Sequence, residues 1–309
     1  MPTIPPACDS ILGTVGRTPL VLLRRLNPHP GVRVWAKLEG FNPMGSVKER
    51  IALRIVEEAE RQGALRPGMT LLESSSGNTG IGLAMVGAVK GYPVVITMAQ
   101  KVSRERRQIL HALGARVVFT SKEGGSDEAW AMADRMQREA PERYFRIGQY
   151  ESPDNPLAHY HGTAEEVWEQ TGGRIDWLVL ALGTCGTLVG VARRLKELSP
   201  GLRVVSVEPQ EGHLQQGLRN MTESKVPQIM DWSLVDERLT VSDADAARVT
   251  LALARQEGIL AGISSGTAVY AALEVAGRAG RGDIVTLLPD RGEKYLSTTL
   301  FPPGPDPEA

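Results

Sequence analysis

The sequence predicts an α/β fold of two domains, each with a mostly parallel sheet covered by helices. From Thr70 onward, short runs rich in β-branched residues alternate with amphipathic stretches, and Gly, Pro or a polar turn separates each pair. The length of 309 residues, with 42% hydrophobic side chains, is enough for two domains or for one large one. We therefore expect a globular, loop-rich and soluble protein.

The secondary-structure signals follow one another in a regular order. A run at residues 33–38 ends at the turn-forming Asn42-Pro43, and a helical pattern begins at Glu49. Strands are predicted at 70–73, 93–98, 115–120, 175–182, 203–208 and 283–288. Helices are predicted at 81–90, 103–113, 126–139, 163–170, 187–198, 243–257 and 265–279. A shift to polar and Pro-rich composition at 151–156 marks the boundary between two halves.

Composition argues against several classes of protein. A net charge of -1 and a pI near 6.6 give no electrostatic reason to expect nucleic acid or an anionic membrane as a partner. The basic cluster at 104–107 is interrupted by an acid and resembles an exposed helix face. Two cysteines are too few for a zinc site or a disulfide framework, and the five histidines lack metal-ligand spacing. With no signal peptide and no run long enough to span a bilayer, we expect a cytoplasmic protein.

One lysine stands out because of its position in the pattern. Lys48 comes three residues after Gly45 and lies in the first turn of a helix, so the chain presents its amine at a fixed place. Burial and the positive end of a helix both disfavour an ammonium, which makes such an amine a usable nucleophile for imine formation. A solvated surface lysine is the alternative, and Lys48 alone does not decide between the two.

Three polar loops lie where ligands bind in α/β folds. Residues 73–80 read Glu-Ser-Ser-Ser-Gly-Asn-Thr-Gly and offer hydroxyls, an amide and backbone N–H groups to a carboxylate or phosphate. Residues 183–187 read Gly-Thr-Cys-Gly-Thr before a helix, but lack the lysine of a P-loop and the spacing of a dinucleotide fingerprint. Residues 262–266 place Ser264 at the start of another helix. For each loop, helix capping or a structural turn is the alternative.

The combination is more specific than its parts. An imine-forming amine, an anion loop in each half and a serine loop together are the groups that hold pyridoxal 5'-phosphate (PLP). The chain resembles the PLP-dependent cysteine synthases, also called O-acetylserine sulfhydrylases. Through them it is similar to the fold family of tryptophan synthase β and cystathionine β-synthase, fold type II. The matching segments cover nearly the whole chain, in order 16–21, 42–48, 75–80, 103–107, 183–187, 262–266 and 292–298.

The resemblance implies a role for each matched residue. Lys48 forms the imine with PLP, Asn78 hydrogen-bonds the ring hydroxyl oxygen, and Ser264 meets the pyridine nitrogen. The phosphate is held by Gly183, Thr184, Cys185, Gly186 and Thr187. The substrate carboxylate is bound by Ser75, Ser76, Gly77, Thr79 and Gln149. The resemblance also implies a smaller mobile substrate domain (41–150), a larger phosphate-binding domain (1–40 and 151–309) and a homodimer.

Two positions depart from the family pattern. Ser75 stands where threonine is usual and keeps its hydroxyl, while Cys185 stands where glycine is common. Neither change removes a donor. We expect Cys185 to be a packed small residue rather than a catalytic thiol.

The implied reaction is a β-replacement. Lys48, released from the imine, removes the Cα proton; acetate leaves O-acetyl-L-serine, an aminoacrylate remains, and a sulfur nucleophile adds to it. Segments 154–160, 217–221 and 290–292 are closer to the B type of cysteine synthase, some members of which accept thiosulfate, while other relatives use O-phosphoserine. Arg219 is a candidate contact for a charged donor or leaving group, with a solvated arginine as the alternative. Pro289, where some B-type enzymes carry cysteine, departs from that pattern.

Two rivals stay open from the sequence. One is a cystathionine β-synthase-like condensation of serine with homocysteine. The other is a catalytically silent relative that serves as a binding partner, for example of serine acetyltransferase, although intact Lys48 and Asn78 argue against it.

Overall fold

The computed structural model describes residues 7–301, except 76, 101–102 and 122–123. Its strands are β1 (Leu20–Leu22), β2 (Val32–Leu38), β3 (Thr70–Ser74), β4 (Val94–Ala99), β5 (Arg116–Thr120), β6 (Tyr144–Arg146), β7 (Trp177–Ala181), β8 (Arg203–Pro209), β9 (Glu237–Val241) and β10 (Gly282–Leu288). Its α-helices are α1 (Lys48–Arg61), α2 (Asn78–Lys90), α3 (Arg104–Ala112), α4 (Gly125–Glu139), α5 (Asp154–Ala158), α6 (Ala164–Thr171), α7 (Gly186–Leu198), α8 (Asp243–Ala252) and α9 (Ile263–Ala279).

The strands form two sheets. The larger has the order β1-β2-β10-β7-β8-β9 and the smaller has the order β5-β4-β3-β6. Among the described strands only β1 pairs antiparallel, with β2, and every other pairing between these strands is parallel. Two isolated bridges outside the strands, Ser46 with Asp290 and Ala261 with Arg291, are antiparallel. The predicted α/β class with two mostly parallel sheets is therefore confirmed.

Helices cover both faces of each sheet, which explains the continuous apolar runs of the central strands. In the larger sheet, α8 and α9 pack on one face and α7 packs on the other. In the smaller sheet, α1 and α2 share a core with β3 and β4, and α4 covers the opposite face. The apolar face of α1 is buried in this core and consists of Ile51, Ala52, Ile55, Val56 and Ala59.

Strand β2 coincides with the run at 33–38, and three further strands were not predicted, all of them at sheet edges. Strands β1 and β6 have three residues each, and β9 exposes alternate residues. Short or half-exposed edge strands carry little hydrophobic signal. The predicted helix 243–257 also differs, because its last turn, Leu253–Glu257, is π-helical.

The chain order places the smaller sheet within residues 70–146, whereas the larger sheet draws its strands from both sides of that segment. A division into domains 41–150 and 1–40 plus 151–309 stays a prediction. In the described residues, no helix is long and apolar enough to cross a membrane.

Candidate active site

A cavity of about 450 Å³ is lined by the loops that follow the carboxyl ends of β3, β7 and β10. The residues predicted for the site that line it are Lys48, Ser75, Gly77, Asn78, Thr79, Gln149, Gly183, Thr184, Cys185, Thr187, Arg219 and Ser264. Gly186 opens α7 behind this lining, and Ser76 lies outside the described residues. Residues up to 216 positions apart in the chain thus meet around one space.

Lys48 is the first residue of α1, and the segment before it is fixed by a hydrogen bond from the Val47 N–H to the Pro289 carbonyl at 2.8 Å. Its Nζ donates to Thr184 Oγ1 at 3.2 Å, and both residues line the cavity. Burial lowers the pKa of Lys48 to about 8. About a tenth of this amine is therefore neutral, and nucleophilic, at pH 7, far more than for an ordinary lysine.

The 183–187 loop forms a cup at the start of α7. The first turn of a helix leaves its N–H groups without intrahelical partners, and Thr184 and Thr187 add hydroxyls. A Cβ at Gly183 would lie 2.5 Å from the Gly217 carbonyl oxygen, so the close approach of these two loops requires glycine there. This donor set suits a phosphate monoester.

Cys185 is buried and holds a left-handed backbone conformation with φ of 69°, which residues with a Cβ rarely adopt. Burial raises the pKa of its thiol to about 12, so the thiol is protonated and a poor nucleophile. The expectation of a packed, non-catalytic cysteine agrees with both observations.

We predict that Cys185→Gly is more stable than Cys185→Ala by about 1–2 kcal/mol, because glycine relieves the backbone strain that alanine keeps. Both variants lose the thiol, so alanine is the matched control. Urea unfolding of the two proteins measures the difference. Equal midpoints would show that the left-handed conformation at position 185 carries no strain.

The loop after β3 is tied to Gln149. Ser75 Oγ accepts hydrogen bonds from the N–H groups of Gly77 and Gly80, so this serine does contribute to capping the start of α2. Thr79 Oγ1 donates to Gln149 Oε1 at 2.7 Å. Gln149 in turn donates to the Ser74 carbonyl at 3.3 Å. Thr79 and Gln149 are thus joined by a hydrogen bond, and Ser75 holds the backbone of the same loop beside them.

Asn78 belongs to a second network that the sequence did not reveal. Its Nδ2 donates to Asp290 Oδ2 at 2.7 Å, and its Oδ1 accepts from Lys294 Nζ at 2.9 Å. Tyr295 donates to the same Asp290 oxygen at 2.8 Å. An amide carries two N–H hydrogens, so one donor of Asn78 is left for a ligand. The local sequence around 290–295 carries no signal for the contacts of Asn78 with Asp290 and Lys294, because the partners are more than 200 residues apart.

Arg106 is another cavity residue that the sequence analysis missed. The expectation that the basic cluster 104–107 is an exposed helix face is wrong for Arg106, which is only 5% exposed. Its Nη1 donates to Gln216 Oε1 at 2.6 Å and its guanidinium lies 4.9 Å from the Tyr295 ring centre. Within the described residues, its Nε has no hydrogen-bond partner and no carboxylate pairs with it. A buried guanidinium of this kind makes the cavity favourable for anions.

Arg219 lies against the cavity wall rather than free in solvent. Its guanidinium stacks 4.4 Å from the Tyr150 ring centre, and its backbone N–H donates to the Leu182 carbonyl at 2.9 Å. Both Arg219 and Tyr150 line the cavity. The stacked arrangement keeps the arginine within the cavity lining, as a ligand contact requires.

The geometry defines a class of protein. The Lys48 amine has a lowered pKa and lies beside the 183–187 cup, which suits a phosphate. The loop after β3, which suits a carboxylate, lines the same cavity. This is the arrangement of an enzyme that binds an aldehyde cofactor through a lysine. Within the described residues, no cluster of His, Cys, Asp or Glu could hold a metal ion.

Comparison with known proteins agrees with this class. A family model described as "Pyridoxal-phosphate dependent enzyme" matches residues 11–290. Cysteine synthase B of Escherichia coli (strain K12) is 44% identical over 288 residues, covering 93% of this chain and 94% of the relative. Cysteine synthase B of Pseudomonas aeruginosa is 42% identical, covering 95% and 98%. The crystal structure of cysteine synthase from Entamoeba histolytica has a TM-score of 0.93 and 39% identity, covering 98% of this chain and 94% of that chain.

The chain therefore belongs to the family of pyridoxal-phosphate-dependent enzymes. Its cofactor is PLP, as the sequence predicted. The role of each single residue in the site stays a prediction.

Proposed function

We propose that this chain is a cysteine synthase, which makes L-cysteine from O-acetyl-L-serine and sulfide, or S-sulfocysteine from thiosulfate. The observation that carries the proposal is the Lys48 amine, 3.2 Å from Thr184 in a cavity that Ser75 and the hydrogen-bonded pair Thr79 and Gln149 also line. The similarity to cysteine synthases of the B type supports it. The reaction is a β-replacement, a transferase chemistry of cysteine biosynthesis.

The residues on the two sides of the cavity have different roles in the proposed reaction. PLP, when bound, supplies an electron sink for charge that develops at the substrate Cα. Lys48 holds the cofactor and, once released, accepts the Cα proton as general base. The cup at 183–187 binds the phosphate, and Ser264 meets the ring nitrogen with a hydroxyl, a weaker partner than a carboxylate. Ser75, Thr79 and Gln149 bind the substrate carboxylate.

The protonation of Lys48 gives a pH prediction. Because only the neutral amine attacks the cofactor aldehyde, and burial lowers the pKa of Lys48 from 10.5 to about 8, uptake of PLP by the cofactor-free protein speeds up about tenfold per pH unit below pH 8. Above pH 8 the rate levels off. Stopped-flow absorbance measures the rate, with free Nα-acetyl-lysine as the control amine. A protein rate that keeps rising to pH 10, as for the control, would contradict the depressed pKa.

Arg219 is our candidate contact for a charged sulfur donor. Thiosulfate offers several anionic oxygens, which a guanidinium binds with two parallel hydrogen bonds. We expect Arg219→Gln to raise the KM for thiosulfate by about tenfold or more, and the KM for sulfide by less than about twofold. The control is Arg248→Gln, since Arg248 also stacks on a tyrosine, Tyr270, but lies outside the cavity lining. Equal effects on both donors would remove Arg219 from this role.

A substrate panel tests the proposed function against its rivals. Steady-state assays compare O-acetyl-L-serine, O-phospho-L-serine and L-serine, each with sulfide, thiosulfate or homocysteine. The proposal expects the highest kcat/KM for O-acetyl-L-serine with sulfide or thiosulfate. A preference for O-phosphoserine would reassign the leaving group, serine with homocysteine would favour cystathionine synthesis, and no product despite bound PLP would favour a silent binding partner. Homodimeric assembly and a cytoplasmic location complete the proposal.

A further inference from the structure

A second layer of side chains lies directly behind the 183–187 cup. The segment formed by α5 and the π-helical turn His159–Thr163 packs against the start of α7. From this segment, Asn155 Nδ2 lies 3.2 Å from Thr184 Oγ1, and His159 Nε2 lies 3.2 Å from Thr187 Oγ1. Each threonine hydroxyl of the cup therefore has one buried partner on the side away from the cavity.

Close packing fixes this layer. A Cβ at Gly186 would lie 1.9 Å from Asn155 Oδ1, and a Cβ at Gly190 would lie 2.8 Å from the Cβ of His159. Both glycines belong to α7, so the segment can pack this closely against the helix only because two helix residues lack side chains. Asn155 and His159 are themselves fully buried.

His159 is neutral in this environment. Burial, followed by the positive charges of Arg50 and Lys48, lowers the pKa of His159 well below its ordinary value, and the negative charge of Glu166 opposes this only weakly. A neutral imidazole has one N–H donor and one acceptor nitrogen. Its Nδ1 lies 2.9 Å from Thr163 Oγ1, so the two ring nitrogens are each matched to one threonine.

Two hydrogen-bond arrangements satisfy these contacts. If Nδ1 carries the proton, it donates to Thr163, and Thr187 must donate its own hydrogen to Nε2. If Nε2 carries the proton, it donates to Thr187, and the Thr187 hydrogen is free to point into the cavity. A phosphate monoester near neutral pH offers acceptor oxygens, so it can use Thr187 only in the second arrangement.

Thr184 is also an acceptor of hydrogen bonds. Its Oγ1 accepts from Asn155 Nδ2 and from Lys48 Nζ, so its own hydrogen is free to donate to another acceptor. Thr184 therefore has a donor from behind that leaves its hydroxyl hydrogen for an anion in the cup, and Thr187 has such a donor in the second arrangement.

We propose that His159 is a positioning residue of the phosphate cup: in the PLP-bound protein its Nε2–H donates to Thr187 Oγ1, and the Thr187 hydrogen goes to the cofactor phosphate. The inference deepens the proposed function, since it rests on the 183–187 loop holding the phosphate. It assigns a binding role to a histidine whose side chain lies outside the cavity lining.

Nitrogen NMR of the PLP-bound protein, labelled with ¹⁵N-histidine, tests the tautomer with His159 in place. The His159→Gln variant serves only to assign the His159 signals, which disappear in it. We expect a neutral ring that is protonated at Nε2. Protonation at Nδ1 in the PLP-bound protein would overturn the proposal.

A pair of amide variants tests the consequence for cofactor binding. Glutamine reaches the position of the ring Nε2 and keeps a donor to Thr187, whereas asparagine reaches only the position of Nδ1. We expect His159→Gln to bind PLP within about threefold of the unaltered protein and His159→Asn to bind it about tenfold more weakly or worse. In a Thr187→Val background, the two variants become equal, because no hydroxyl is left to orient.

Equal PLP affinity of the Gln and Asn variants in the presence of Thr187 would contradict the role. Thermal unfolding of the cofactor-free variants supplies the control for folding. Both readouts depend on PLP binding and not on turnover. The proposal can therefore hold even if the substrate panel assigns a different reaction, and it can fail while cysteine is still made.

Discussion

Lys48→Ala is expected to lower turnover with O-acetyl-L-serine and sulfide by at least about 10³-fold, the largest effect that the account predicts. Lys48 both anchors the cofactor and accepts the Cα proton, so a single substitution removes covalent attachment and general base together. The variant still binds PLP without a covalent bond, because the 183–187 cup is unchanged. Borohydride reduction followed by peptide mapping measures the attachment, and a steady-state assay measures turnover.

Lys225→Ala is the matched control for this experiment, because Lys225 lines the same cavity but is exposed. It should keep covalent attachment of PLP. If reduction links PLP to the Lys48→Ala protein as it does to the control, another lysine holds the cofactor and the assignment of Lys48 is wrong.

A buried ionic network gives the largest expected effect on stability. Arg50 lies on α1, two residues after Lys48, and pairs with Glu39 at 2.6 Å and with Glu166 at 2.7 Å. Lys37, whose side chain is fully buried, pairs with Glu166 at 2.6 Å. Burial alone raises the pKa of Glu166, but the hydrogen bonds and charges of Arg50 and Lys37 outweigh it and hold the pKa at about 2. This contribution of Glu166 is present above pH 4.5 and is lost as the pH falls towards 2.

Arg50→Met is expected to lower the free energy of unfolding by about 3–5 kcal/mol, because it leaves the buried carboxylate of Glu39 without a cation. Arg54→Met is the matched control on the same helix. Arg54 is 37% exposed and lies 3.4 Å from Asp154, so its loss should cost less than about 1 kcal/mol. Urea unfolding at pH 7 compares the two. A similar small loss for both would mean that the network adds little to stability.

The parts of the site that could be predicted are those whose chemistry lies in contiguous residues. Lys48 at a helix start and the loops at 73–80, 183–187 and 262–266 each carry a local signal of glycine, hydroxyl and helix periodicity. Strands β3 and β7 of the two sheets both end at one cavity, which brings the loops that follow them together, and Ser264 at the start of α9 lines the same cavity.

The residues that were missed act through contacts between distant segments. Asp290 meets Asn78 across 212 positions, and Arg106 meets Gln216 across 110. Arg106 lies in a charged stretch in which Arg104 and Arg107 are exposed, so the local pattern alone assigned it to the surface. No role in the site was predicted for His159 from the sequence, and only the distance to Thr187 connects it to the cup.

The visible absorption spectrum of the purified protein, recorded before and after addition of O-acetyl-L-serine, is the most direct test of the proposed reaction. We expect a cofactor band that shifts with O-acetyl-L-serine and returns when sulfide or thiosulfate is added, with the new cysteine or S-sulfocysteine detected in the same sample. A cofactor band that O-acetyl-L-serine leaves unmoved would contradict the proposed reaction, and a protein without any such band after incubation with PLP would contradict the assignment of Lys48.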